Sequence, residues 1–185
     1  MEVIALHELV RTRMLGSAAL LLLATVGCMM GQMTQVRWDL QHSHTKQDVQ
    51  WTNSLSAHEV ANVDLTLLLP GGHTFTGRQV TVRMSSDGDQ VQVLSVFYSP
   101  ATLDDAYQHA RQLAREWQLN ASSLETWYQE VQAGRQQGVK DRDAPFPVAL
   151  TGRPLSPSGP TPYSRIVYSF DQQKPALLDF ELQWV

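Results

Sequence analysis

Residues Arg78–Trp117 read RQVTVRMSSDGDQVQVLSVFYSPATLDDAYQHARQLAREW. Two periodicities meet inside this stretch. Val80, Val82 and Met84 alternate with polar neighbours, the period of a half-buried strand. Asp87-Gly88 follows, a strong signal for a hairpin turn. Val91, Val93, Ser95 and Phe97 continue along one face of the returning strand. Its other face carries Gln92, Leu94, Val96 and Tyr98, so the strand reads as central or covered on both sides. From Thr102 the period changes to that of a helix. Thr102 offers an N-cap, with Asp105 three residues later. Leu103, Ala106, Tyr107, Ala110, Leu113 and Trp117 then form an apolar stripe.

The neighbouring segments extend both patterns. Upstream, Val63, Leu65, Leu67 and Leu69 alternate, and Pro70-Gly71-Gly72 ends that strand. Downstream, Ser122 and Glu125 have the spacing of a capping box, and Gly138 of a C-cap. Leu124, Trp127, Tyr128 and Val131 supply the second helix's apolar face, and the short link predicts an antiparallel helical pair. Residues 139–162 are rich in proline and read as a connection. Tyr163–Phe170 and Ala176–Trp184 read as two closing strands around Asp171–Pro175. The order β-β-β-α-α-β-β implies an α+β fold: a mainly antiparallel sheet of about five strands with a helical pair packed on one face.

Composition narrows the function classes. A chain of 185 residues leaves room for one domain plus a targeting segment. A formal charge of −4 and a pI of about 5.8 exclude a general nucleic-acid binder. One cysteine, Cys28, excludes an intramolecular disulfide and any paired-cysteine metal or redox motif. Charged residues make up 17%, below the roughly 25% typical of globular domains. The deficit is filled by glutamine.

The N-terminal segment reads as an export signal. Arg11 and Arg13 precede an uncharged run from Met14 to Val36, whose most apolar part is Ala18–Val26. The run contains Ala24-Thr25-Val26-Gly27-Cys28. This resembles the lipobox of bacterial lipoproteins, with Thr25 where leucine is usual. The resemblance covers residues 1–28 only. It implies a diacylglycerol thioether on Cys28, cleavage between Gly27 and Cys28, and acylation of the new amine. Two other readings are an uncleaved membrane anchor and a signal cleaved elsewhere. Either start, Met1 or Met14, fits the segment, although only the first puts arginines before the apolar block. With Cys28 triacylated, anchoring is stable and the rest of the chain faces the periplasm. Met29 after the cysteine is consistent with sorting to the outer membrane. The expected organisation is a signal peptide over 1–27, a lipidated cysteine with a polar tether over 28–57, and a single α+β domain over 58–185. Within the tether, residues 35–40 have the character of a short strand.

Candidate sites are few. His42, His44 and Asp48 lie close together in the tether, but a metal site needs three or four fixed ligands, and a polar tether is the simpler reading. Ser85–Asp89 clusters oxygens but lacks the later glutamate of a calcium loop. Asp104 and Asp105 suit a helix N-terminus. Trp38 and Trp51 fall in the polar lead-in, and Trp127 and Tyr128 at the edge of the helical pair. These four are the expected partner contacts. No catalytic motif is present, and no cofactor or metal is implied. The expectation is a lipid-anchored envelope protein that binds another protein or an envelope component without catalysis. The alternatives are an immunity protein against a toxin delivered to the periplasm, and a small envelope hydrolase or its accessory factor.

Overall fold

The computed structural model describes residues 34–140 and 147–184. In chain order the strands are β1 (Thr34–Asp39), β2 (Ala57–Leu68), β3 (Thr74–Asp87) and β4 (Gln90–Tyr98). Two helices follow, α1 (Leu103–Glu116) and α2 (Leu124–Gln137), and then β5 (Val148–Thr151), β6 (Thr161–Ser169) and β7 (Lys174–Gln183). All seven strands form one sheet in the order β1-β2-β3-β4-β7-β6-β5. Neighbours are antiparallel except β1 and β2, which are parallel. The fold is α+β, as the periodicities predict. Beyond the expected five strands the sheet has two edge strands: β1, where residues 35–40 already have strand character, and the four-residue β5 inside the proline-rich connection.

Local chemistry sets the element ends. Gly88 takes φ +55 in the turn between β3 and β4, a conformation that costs glycine little. At the start of α1, Thr102 Oγ1 accepts from the Asp105 N–H (3.0 Å) and donates to the Asp105 carboxylate (2.8 Å). Such a cap contributes about 1 kcal/mol. Gly138 ends α2 at φ +69. The start of α2 departs from expectation. Ser123 is its N-cap and makes no side-chain cap, while the Glu125 carboxylate accepts from the Tyr107 hydroxyl instead.

The helices also meet differently from the expected antiparallel pair. Tyr107 reaches Glu125, Tyr128 donates to Asp104 (2.5 Å), and the two tyrosine rings stack 4.2 Å apart. Each of these contacts joins the first half of one helix to the first half of the other. The link 117–123 therefore doubles back along α1, burying Trp117 and Leu119, and the Asn120 N–H donates to the Thr151 carbonyl of β5 (2.9 Å).

The expected tether is a second correction. The described residues from Thr34 onward form one compact unit, so the domain begins before the expected boundary at 58. A parallel pair cannot be joined by a tight turn. The chain between β1 and β2 accordingly travels to the opposite end of the sheet and returns. On the way Lys46 N–H donates to the Asp89 carbonyl and Val91 N–H to the His44 carbonyl, both at 2.8 Å. Leu40, Val49 and Trp51 are buried by this passage. Its polar composition conceals three apolar anchors.

Helices and crossover all pack on one face of the sheet. Trp117 lies against Phe75 and Phe180, and His109 against Tyr98. On the same side, His44 stacks on Trp184 and Trp51 on His58. Among the described residues, no helix is long and apolar enough to cross a membrane.

Candidate functional site

The expected site residues are placed as follows. Gly27 and Cys28 lie outside the described residues. Trp38, Trp51 and Trp127 are no more than 4% exposed, so their rings belong to the core and are not free contacts for a partner. The hydrophobic effect takes such rings inside even when their sequence neighbours are polar. Of the four, Tyr128 alone keeps part of its side chain at the surface. Asp48 accepts from the Ser43 hydroxyl and from the Thr45 N–H and hydroxyl (2.6–2.7 Å), which makes it the clasp of a tight turn. Among the described residues, no three His, Cys, Asp or Glu side chains are placed to hold a metal ion.

Two features remain as sites. The first is the sheet face that, among the described residues, no helix covers. Strand register lays Glu59, Arg83, Ser95, Glu181 and Tyr163 in one row across it. A parallel row runs Thr81, Phe97, Asp179, Arg165 and Ala149. Arg83 pairs with Glu59 (2.5 Å), and its guanidinium lies 4.8 Å from the centre of the Phe97 ring. Asp179 is 0% exposed although it belongs to this uncovered face. It accepts from the Arg165 backbone N–H (3.1 Å) and guanidinium (3.0 Å), and Glu181 lies 4.0 Å from that guanidinium. Burial pushes the Asp179 carboxyl above the usual range, and Arg165 opposes that push. Val93, Phe97, Tyr163, Val167 and Leu177 are half-buried on the same face. Aromatic and aliphatic side chains with arginine among them are the composition of interface cores.

The second feature is a groove of about 310 Å³ between α1 and the first half of β3. Phe75, Leu113 and Trp117 line its apolar part, with Tyr98 and His109 at one end and Arg78, Gln112 and Glu116 at the rim. Burial, helped by the Glu116 charge, pushes the Tyr98 phenol well above its ordinary range. Burial holds the His109 imidazole below its ordinary value, against the pull of Glu116. Both groups are therefore neutral near pH 7, and charge is confined to the rim. The Tyr98 and His109 rings are 4.2 Å apart, yet neither side chain hydrogen-bonds a described hydroxyl or carboxylate. A wider hollow of about 760 Å³ lies between the crossover and the β3–β4 turn. Its Lys46 is already engaged by the Leu55 carbonyl (3.0 Å) and the Trp51 ring.

Neither feature is marked by a sequence motif. The Arg165–Asp179 pair is not legible there: folding Tyr163–Phe170 on Ala176–Trp184 about Asp171–Pro175 sets Arg165 opposite Glu181, and only the observed register, with its irregularity between Val167 and Tyr168, sets it opposite Asp179. Nor is the groove, since it depends on where β4 stops along β3. The chain matches no protein-family model, no curated protein and no solved structure.

Proposed function

We propose that this protein is a lipid-anchored module of the bacterial envelope that binds another protein without catalysis. Cys28 is its lipid attachment point, and residues 34–184 face the periplasm. The observation that supports this reading is the uncovered sheet face. Among the described residues the sheet is clothed on a single side, which leaves a broad surface on which Phe97 and Tyr163 stand beside the Arg83–Glu59 and Arg165–Asp179 ion pairs. Such a surface suits a partner that covers aromatic and arginine side chains together. A partner that is a toxin, as the immunity reading requires, is one case of the same activity.

The experiment is site-specific photocrosslinking in intact cells. A photoreactive residue replaces Phe97 on the uncovered face or Glu130 on the exposed side of α2. The reading predicts one discrete adduct from position 97 and none from position 130. Equal yields from both positions, or none from position 97, contradict it.

A further inference from the structure

Half of β3 has a neighbour on one side only. Its register with β2 runs from Thr74 to Ser85, but its register with β4 begins at Thr81 opposite Phe97. The cause is local. Gln79 takes φ +53 in a bulge, and its N–H is held by the Asp64 carboxylate at 3.1 Å. Bulges of this kind bend a strand and end pairing. Thr74–Arg78 therefore diverges from the line of β4, and the groove fills the gap.

The direction of the free backbone groups follows from hydrogen bonds at the end of the β2–β3 ladder. Leu40 N–H donates to the Leu68 carbonyl (2.8 Å), so Leu68 points away from β3. Leu69 N–H donates to the His73 carbonyl (2.9 Å), so His73 points toward β2. Backbone groups alternate along an antiparallel strand. Phe75 and Gly77 thus serve the β2 ladder, and Thr74, Thr76 and Arg78 aim N–H and C=O into the groove. Among the described residues, no backbone or side-chain group bonds to those three. A row of unpaired strand groups is a template for another strand. Here the C-terminal half of α1 walls the row on its far side, with Leu113 and Trp117 supplying apolar contact.

We propose that this groove takes an extended peptide segment of the partner, added as a strand to the free edge of β3 at Thr74–Arg78. This rests on the reading of the protein as an interaction module and names the chemistry of its partner. Five residues of strand span about 17 Å, enough to fix a register. Alternate peptide side chains point to opposite faces. One set meets Phe75, Leu113 and Trp117, so it is apolar. The other set stands beside the Thr74, Thr76 and Arg78 side chains on the uncovered face. Arg78 has no ion-pair partner among the described residues and favours an acidic peptide group beside it. Thr76, Gly77 and Arg78 also line a hollow on the uncovered face, which makes groove and face continuous. Main-chain bonds supply affinity in such recognition, and alternate side chains supply specificity.

The test pans a phage-displayed library of random linear peptides on the full-length chain in detergent micelles. Enriched peptides are expected to alternate apolar residues and to carry an acidic group. A synthetic peptide from the selection is titrated calorimetrically. N-methylation of one alternate set of its amides is expected to weaken binding about tenfold or more, the loss of one or two backbone hydrogen bonds. Methylation of the other set leaves binding intact. Thr76→Pro, which removes a groove-facing N–H without touching the β2 ladder, gives a similar loss. If Thr76→Pro fails to fold, the methylated peptides still decide, because the protein is unchanged in that arm. The inference is overturned if no peptide is enriched, if neither methylation pattern matters, or if bound peptide shifts amides elsewhere than 74–78 and 109–117. Those outcomes leave the module reading standing when position 97 crosslinks a partner. Peptide binding in the groove without a crosslink at position 97 keeps the inference and removes only the uncovered face as the partner's contact surface.

Discussion

Replacing Trp51 with alanine separates a folded crossover from a tether. The Trp51 ring is 3% exposed, stacks on His58 at 5.4 Å and carries the Lys46 ammonium 4.7 Å from its centre. Its indole N–H donates to the Asn53 side chain at 2.7 Å. Truncating a buried tryptophan to alanine costs about 3–5 kcal/mol. Native domains have only about 5–15 kcal/mol to lose. For a unit of this size the melting point should fall by roughly 6–20 °C, taking about 2–4 °C for each kcal/mol. Lys46→Ala, which removes only the cation over the ring, should cost about 0.5–1 kcal/mol. The assay is urea unfolding of the purified protein followed by far-UV circular dichroism, which does not depend on the lost indole. A change within about 0.5 kcal/mol for Trp51→Ala, the range for an exposed site, refutes the claim that residues 40–56 are part of the fold.

Other substitutions probe the layers beneath the candidate site. At Gly134 a Cβ would sit 2.5 Å from the Phe170 ring, so Gly134→Ala trades about 1 kcal/mol of helix propensity against about 1–3 kcal/mol of overpacking. A net loss of stability is expected by denaturant titration, and a net gain shows that α2 lies farther from β6 than described. Arg165→Met leaves the Asp179 carboxylate buried and unpaired, a loss of about 3–5 kcal/mol near pH 7. The folded Asp179 pKa is already raised, so deprotonation on going up in pH works against the fold, and removing the guanidinium raises that pKa further. The penalty of Arg165→Met should therefore shrink as pH falls through the raised folded pKa of Asp179 toward its unfolded value. An equal penalty at pH 7 and pH 4, read from urea midpoints, counts against the pair as described.

Much of this architecture is legible in the residues themselves. Alternation in Val80–Phe97 and the stripe from Leu103 to Trp117 suffice for the hairpin, for α1 and for the fold class. Thr102 with Asp105, and Gly138, mark helix ends because caps are local chemistry. What escaped depends on partners distant in sequence. Trp38 and Trp51 look solvated among Gln, His and Ser, since their burial comes from β2, β3 and the hairpin turn. Val148 and Leu150 are two apolar positions between prolines, too short a pattern to identify β5 before β6 exists to pair with it. Ser122 and Glu125 have capping-box spacing, but the Tyr107 hydroxyl competes for that carboxylate. The groove is least visible of all, because it arises from the bulge at Gln79 and the end of β4 acting together.

The claim on which the functional account depends is that Cys28 holds this domain at the envelope membrane. Metabolic labelling with radioactive palmitate, followed by membrane fractionation, tests it directly in the wild type and in Cys28→Ser. The account predicts label and membrane residence for the wild type, and loss of label with retention of the unprocessed chain for Cys28→Ser. Identical labelling and fractionation of the two proteins would contradict it.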